Sequence, residues 1–203
     1  MKNTTFPFRK IPGWAIMLLL FGGLYATGLH TEVIGQMQRL LLATGLKKAE
    51  VPTTGKNAAA LASASSTYKA GTGFQMTTLN GSPIAFESLH GKVIFLNIWA
   101  TWCPPCVAEM PNIQRLYEKV GSDKIAFVML SVDRGGIPKV KKYIQKKGYT
   151  FPVYLASRPI PEEFYSPSIP TTFIISPEGK IVTKHEGLQD YDTPDMRNFL
   201  LNL

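Results

Sequence analysis

The chain has 203 residues, 45% of them hydrophobic, and a formal net charge of +8, enough for one domain of ordinary size plus an appendage. The basic excess is uneven: residues 1–71 hold eight Lys/Arg against two Asp/Glu, and residues 72–203 hold fourteen against twelve. A nearly neutral globular part argues against nucleic-acid binding, which needs a basic face on the folded domain.

Residues 11–29 form an uncharged, largely apolar run, IPGWAIMLLLFGGLYATGL. At ~1.5 Å per residue such a helix spans roughly 28 Å, close to the hydrocarbon thickness of a bilayer. Lys2, Arg9 and Lys10 precede it, and beyond it only Arg39 is basic within about fifteen residues. The run reads as a single transmembrane anchor, with residues 1–10 in the cytoplasm and the rest exported. A cleaved signal peptide is the competing reading: Ala26 and Gly28 are small, but the apolar core is long for a signal. A lipoprotein is excluded, because no cysteine lies near the run. Either way, the globular part sits where a disulfide can persist.

In residues 32–46, Val33, Ile34, Met37, Leu40 and Leu41 recur at helical spacing. This helix lies on the outer membrane surface, extends the anchor, or packs on the soluble domain or a partner. Residues 47–71 are small and polar with no core pattern, as expected of a flexible tether. Its root-mean-square reach is roughly 28 Å.

The pattern changes at residue 72. Residues 74–79 and 82–86 read as two strands joined by the turn signal Asn80-Gly81. Residues 92–100, KVIFLNIWA, are nearly all apolar, as in a strand buried on both faces. Residues 104–120 carry helical spacing in Val107, Met110, Ile113, Leu116 and Tyr117. A second buried strand follows at 125–132, then a basic amphipathic helix at 137–148 and short strands at 151–155, 171–176 and 181–185. Asp192 or Thr193 caps a final helix through residue 201, with Pro194 in its first turn. This order predicts an α/β domain with a central sheet and helices on both faces.

The only two cysteines, Cys103 and Cys106, stand two residues apart between the buried strand and the following helix. That spacing reads as a redox couple. Cys103, at the strand end, is the expected nucleophile, because the positive end of the helix favours its thiolate. Cys106, one turn on, is the expected resolving thiol. Neither Pro104 nor Pro105 has an amide hydrogen to offer the Cys103 sulfur, so the couple is expected to be reducing. Half of a zinc site or a passive structural disulfide is the competing reading, but zinc takes four ligands, and His30, His90 and His185 are scattered. A copper or zinc carrier using the pair as soft ligands is a second alternative.

The run Leu96-Asn97-Ile98-Trp99-Ala100-Thr101-Trp102-Cys103-Pro104-Pro105-Cys106, with Glu109, Pro111 and the later Ile169-Pro170-Thr171, resembles the thioredoxin superfamily. Within it, the stretch from FQMTTLNGSP to WCPPCVAEMP is similar to the TlpA/ResA-like membrane-anchored thiol–disulfide oxidoreductases. The resemblance covers residues 72–203. It implies a thioredoxin fold, a central mixed sheet flanked by helices, with an added N-terminal β-hairpin and an insertion after the first helix, all preceded by one transmembrane helix. Residues 30–71 would then be juxtamembrane helix and linker.

The resemblance also implies that Pro170 is cis and lies beside the sulfurs, leaving the Ile169 backbone free for an extended substrate. Trp102, Pro104 and Pro105 would add an apolar docking surface. Glu109 would handle protons for the buried thiol; an ordinary exposed glutamate near a helix start is the alternative. Cytoplasmic thioredoxins carry a titrating Asp six residues before the first cysteine, where this chain has Asn97, which cannot titrate. Trp99 reads as core, and Lys139, Lys141, Lys142, Lys146 and Lys147 as a solvated face. Asp133 reads as a turn cap without chemistry.

The implied activity is extracytoplasmic reduction of protein disulfides at the inner (cytoplasmic) membrane, in cytochrome c biogenesis or general redox homeostasis, with the catalytic domain in the periplasm. It needs no cofactor and no metal, since the sulfurs carry the electrons. The expected partners are protein thiols and disulfides and a membrane electron donor or acceptor, not nucleic acid. A thiol peroxidase on the same fold would use Cys103 as the peroxidatic thiol, but the Thr-containing approach to a single cysteine is not seen.

Overall fold

The computed structural model describes residues 12–27, 29–44, 48–51, 69–121 and 123–203. The expected cytoplasmic terminus at 1–10 and most of the expected tether lie outside these residues. Two helices come first, α1 (Gly13–Ala26) and α2 (Leu29–Ala43). The 14-residue α1 falls short of the expected 19-residue span. Among the described residues, no helix is long and apolar enough to cross a membrane.

From residue 69 the chain builds a seven-stranded mixed sheet in the order β2-β1-β5-β4-β3-β6-β7. Its strands are β1 (Gln75–Thr78), β2 (Pro83–Ala85), β3 (Val93–Trp99), β4 (Ile125–Ser131), β5 (Val153–Ala156), β6 (Thr171–Ile175) and β7 (Ile181–Glu186). Strands β3, β4 and β5 run parallel; β6 is antiparallel to β3, and β7 to β6. The expected hairpin β1–β2 extends the sheet through antiparallel pairing of β1 with β5. The second hairpin strand ends sooner than expected, because Phe86 is buried at the start of a 3₁₀ turn over Phe86–Leu89. Helices α3 (Pro104–Val120), α4 (Gly136–Lys147) and α5 (Pro194–Asn202) complete the domain.

Strand β3 is buried along its whole length, and its residues divide by the two-residue period of a strand. Val93, Phe95 and Trp99 join a core with Met110, Ile113 and Leu116 of α3, Val140 and Ile144 of α4, and Met196 and Leu200 of α5. Ile94, Leu96 and Ile98 face the opposite side, against Phe74, Phe86, Phe164 and Phe173. The expectation of helices on both faces is therefore corrected: α3, α4 and α5 share one face, and apolar turns close the other. The cause is topological. The β3–α3–β4 and β4–α4–β5 crossovers step in the same direction along the sheet, and right-handed crossovers then put both helices on the same side.

The folded unit also begins earlier than residue 72. Ala49 is buried in the helical-face core, and its amide donates to Asp190 O at 3.1 Å. At the far end, Thr193 is the cap of α5, its hydroxyl accepting from Met196 N at 3.1 Å. Asp192 instead forms ion pairs with Arg115, Lys119 and Arg197.

Leu96 is fully buried in the turn-covered core, so Leu96→Ala should cost ~2–5 kcal/mol of stability. Urea denaturation followed by circular dichroism would show this as a lowered midpoint with an unchanged slope.

Candidate active site

Strand β3 ends at Trp99, and four residues later Cys103 is the N-cap of α3. Its sulfur accepts the Cys106 amide at 3.2 Å. The first two helical positions are Pro104 and Pro105, so the sulfur's amide donor comes from the third. Cys103 and Cys106 form a disulfide; Cys106 is fully buried and Cys103 nearly so. The peptide bond Ile169–Pro170 is cis, and Ile169 O lies 3.7 Å from Cys103 Sγ. The structure thus brings together four of the residues singled out in the sequence. Trp102 stands beside them 52% exposed, while Trp99 is fully buried. Pro104 and Pro105 are half-buried.

Glu109 is not the exposed glutamate of a helix start. It is fully buried, with Oε1 accepting from Asn97 Nδ2 at 2.8 Å and Oε2 from the Gln189 amide at 3.3 Å. Burial pushes its carboxyl up to about 8, against the opposing pull of these two hydrogen bonds. Asn97 also donates to Thr172 Oγ1 at 2.9 Å. One amide side chain therefore ties β3 to β6 and to the carboxyl on α3.

Asp133 does more than cap a turn. Its carboxylate accepts from the Thr101 amide at 2.7 Å, the Thr101 hydroxyl at 2.6 Å and the Ser131 hydroxyl at 3.0 Å. Lys139 Nζ pairs with it at 2.8 Å. Burial alone would raise this carboxyl; the Lys139 and Thr101 hydrogen bonds and the Lys139 charge outweigh it and hold it below the ordinary aspartate range. The strand end at Asp133 thereby clamps the loop that delivers Cys103. The basic face of α4 is correspondingly only partly solvated: Lys139 pairs with Asp133, and Lys147 with Glu32 at 2.7 Å. The sequence offered no signal for Thr172, Gln189 or the Asp133 grip on Thr101, because the contacts Asn97–Thr172, Glu109–Gln189 and Thr101–Asp133 join residues distant along the chain.

A family model described as the AhpC/TSA family matches residues 69–184. The chain belongs to this family. Among relatives of this AhpC/TSA protein, the thiol-disulfide oxidoreductase ResA of Bacillus thuringiensis (strain Al Hakam) is 36% identical over 117 residues, 57% of this chain and 67% of that protein. ResA of Bacillus subtilis (strain 168) is 36% identical over 110 residues, 54% of this chain and 61% of the relative. Among solved structures, StoA from Bacillus subtilis superposes with a TM-score of 0.53 at 27% identity, over 62% of this chain and 94% of StoA. A thiol:disulfide interchange protein from Chlorobium tepidum TLS gives 0.53 at 29% identity, over 63% and 92% of the two chains. The AhpC/TSA match and these relatives make the chain a TlpA/ResA-like member of the thioredoxin superfamily, an enzyme of the thiol–disulfide oxidoreductase class.

The Glu109 carboxyl binds its proton up to about pH 8 in the folded oxidised protein, against an ordinary value of 4.5. Between these values the folded state holds more protons than the unfolded one. The contribution is complete below pH 4.5 and is lost as pH rises to about 8, with a slope approaching ~1.4 kcal/mol per pH unit. Glu109→Gln should flatten that slope, as read from urea midpoints at pH 5 and pH 8. Asp133→Ala leaves two part-buried donors of Thr101 without this partner and should cost roughly 1–3 kcal/mol, measured by the same denaturation.

Proposed function

We propose that this protein is a membrane-anchored, extracytoplasmic reductase of protein disulfides. The carrying observation is the Cys103–Cys106 pair at the start of α3, with the Ile169 carbonyl and cis Pro170 alongside. In the reduced enzyme, the Cys103 thiolate attacks one sulfur of a substrate disulfide. The substrate S–S bond breaks, and its other sulfur leaves as a thiolate. Cys106 gives up its proton and attacks Cys103 Sγ, releasing the second substrate thiolate. Two electrons pass to the substrate, and the Cys103–Cys106 disulfide remains. The ionised fraction of Glu109, a buried carboxyl pushed up to about 8, is the acceptor for the Cys106 proton. Trp102, Pro104 and Pro105 form an apolar border for the substrate, and Ile169 offers it backbone pairing. No bound cofactor or metal enters this cycle.

The anchor is residues 11–29, with residues 1–10 cytoplasmic, residues 30–71 as juxtamembrane helix and linker, and the domain from residue 72 exported. In its support, α1 exposes Trp14, Ile16, Met17, Leu18, Leu19, Leu20, Phe21 and Tyr25 all round, as a helix in lipid does. A membrane thiol protein resets the pair, and the substrates include apocytochrome cysteines, for cytochrome c biogenesis. Because Pro104 and Pro105 withhold two amides, the couple runs in the reducing direction.

The full chain should reduce insulin in the presence of dithiothreitol, and Cys103→Ser should bring the rate to background. Cys106→Ala should trap substrates as mixed disulfides on Cys103, identifiable by mass spectrometry in native membranes. Stoichiometric copper or zinc retention without turnover would favour a metal carrier instead, and peroxide turnover that survives Cys106→Ala would favour a peroxidase. A separate measurement addresses direction: equilibration with a glutathione or dithiothreitol couple should place the potential nearer ~−270 mV than the ~−120 mV of a strong disulfide donor. A value at the oxidising end would overturn the reducing assignment.

A further inference from the structure

Helix α2 packs on the domain with the wrong face by the standards of a soluble protein. Its inner side carries Gly35, Arg39 and Leu42. A Cβ on Gly35 would stand 3.4 Å from Val107 Cγ1 and 3.5 Å from Pro104 O, so glycine lets the helix approach the first turn of α3 closely. Pro111, inside α3, has no amide to give the carbonyl four residues before it. That carbonyl belongs to Val107, and Arg39 Nη2 donates to it at 3.1 Å. Glu32 pairs with Lys147 of α4 at 2.7 Å, and Leu42 is buried.

The opposite side of α2 is apolar and open. At 3.6 residues per turn, Val33, Ile34, Met37 and Leu40 share the face turned away from Gly35, Arg39 and Leu42. They are 45%, 44%, 67% and 70% exposed. A helix on a domain in water shows the reverse arrangement, apolar inward and polar outward. This apolar face follows directly on α1, itself apolar and exposed on every side. The Glu32–Lys147 pair also sets the basic helix α4 beside it, with Lys142 and Lys146 exposed.

We infer that α2 is an interfacial helix, laying Val33, Ile34, Met37 and Leu40 on an anionic lipid surface and so holding the Cys103–Cys106 turn at the membrane boundary. The apolar face enters the acyl boundary, and the lysines of α4 meet the headgroups. The inference rests on the anchor reading given under Proposed function and deepens it. A tether would let the domain search freely. A docked α2 instead presents the disulfide to proteins whose sulfurs lie at the bilayer surface, because Gly35 and Arg39 fix the helix to the same turn that carries the cysteines.

The test uses the full chain in vesicles of phosphatidylcholine and phosphatidylglycerol, doped with a phosphatidylcholine bearing a diazirine near its glycerol end. After illumination and proteolysis, mass spectrometry should find lipid adducts on residues 33–40 as well as on 13–26. Met37→Glu with Leu40→Glu should remove the adducts on α2 and leave those on α1. Omitting phosphatidylglycerol should reduce the α2 adducts several-fold. Adducts on 13–26 with none on α2 would overturn the inference and leave the anchor standing. Adducts on neither segment would overturn both. A detergent-solubilised dimer dissociated by the double variant, with no lipid adducts on α2, would assign this face to a second copy and likewise overturn the inference.

Discussion

The placement of prolines in α3 is the constraint from which much of this structure follows. Prolines at 104, 105 and 111 delete three amides from one helix. The first two leave the Cys106 amide to meet the Cys103 sulfur. The third frees the Val107 carbonyl, which Arg39 reaches from outside the domain. An orphaned carbonyl buried against a neighbouring helix needs a donor, and the chain supplies it from a residue 68 positions away. The same helix therefore shapes the redox pair and fixes the segment that covers its first turn.

Behind the disulfide, a polar connection crosses an apolar core. Asn97 is buried on β3, where its neighbours Leu96 and Ile98 are apolar. A polar side chain at such a place is costly unless bonded, and its amide group bonds both Glu109 and Thr172. The hydrogen bonds to this core carboxyl come from neutral groups, the Asn97 side chain and the Gln189 amide, so burial dominates its proton affinity. Asp133 shows the opposite outcome. It too is buried, yet Lys139 and Thr101 keep it ionised. Two carboxyls of one site region are thus driven apart in acidity by what each is bonded to, one suited to holding a proton and one to clamping a loop.

Much of this was legible along the chain. The all-apolar run around β3, the helical spacing of α3 and the Asn80-Gly81 turn each carry their own local signal, and the elements they predict are present. The cysteine spacing placed both sulfurs on one helical turn, because three residues along a helix return to the same side. Strand order was not legible. Periodicity says that a strand is buried on both faces, but not what covers each face, and here aromatic turns cover one of them.

The sequence by itself determined the elements, the redox pair, the missing proline amides and an apolar N-terminal run, because each depends on residues within a few positions of one another. Only the tertiary structure decided that Glu109 is buried rather than exposed, that Asp133 grips Thr101, and that α2 sits on the turn after Cys103 with its apolar side outward. Those outcomes depend on which distant surfaces meet. Hydrophobic periodicity marks a helix face as apolar, but it is silent on whether that face turns toward the domain or away from it.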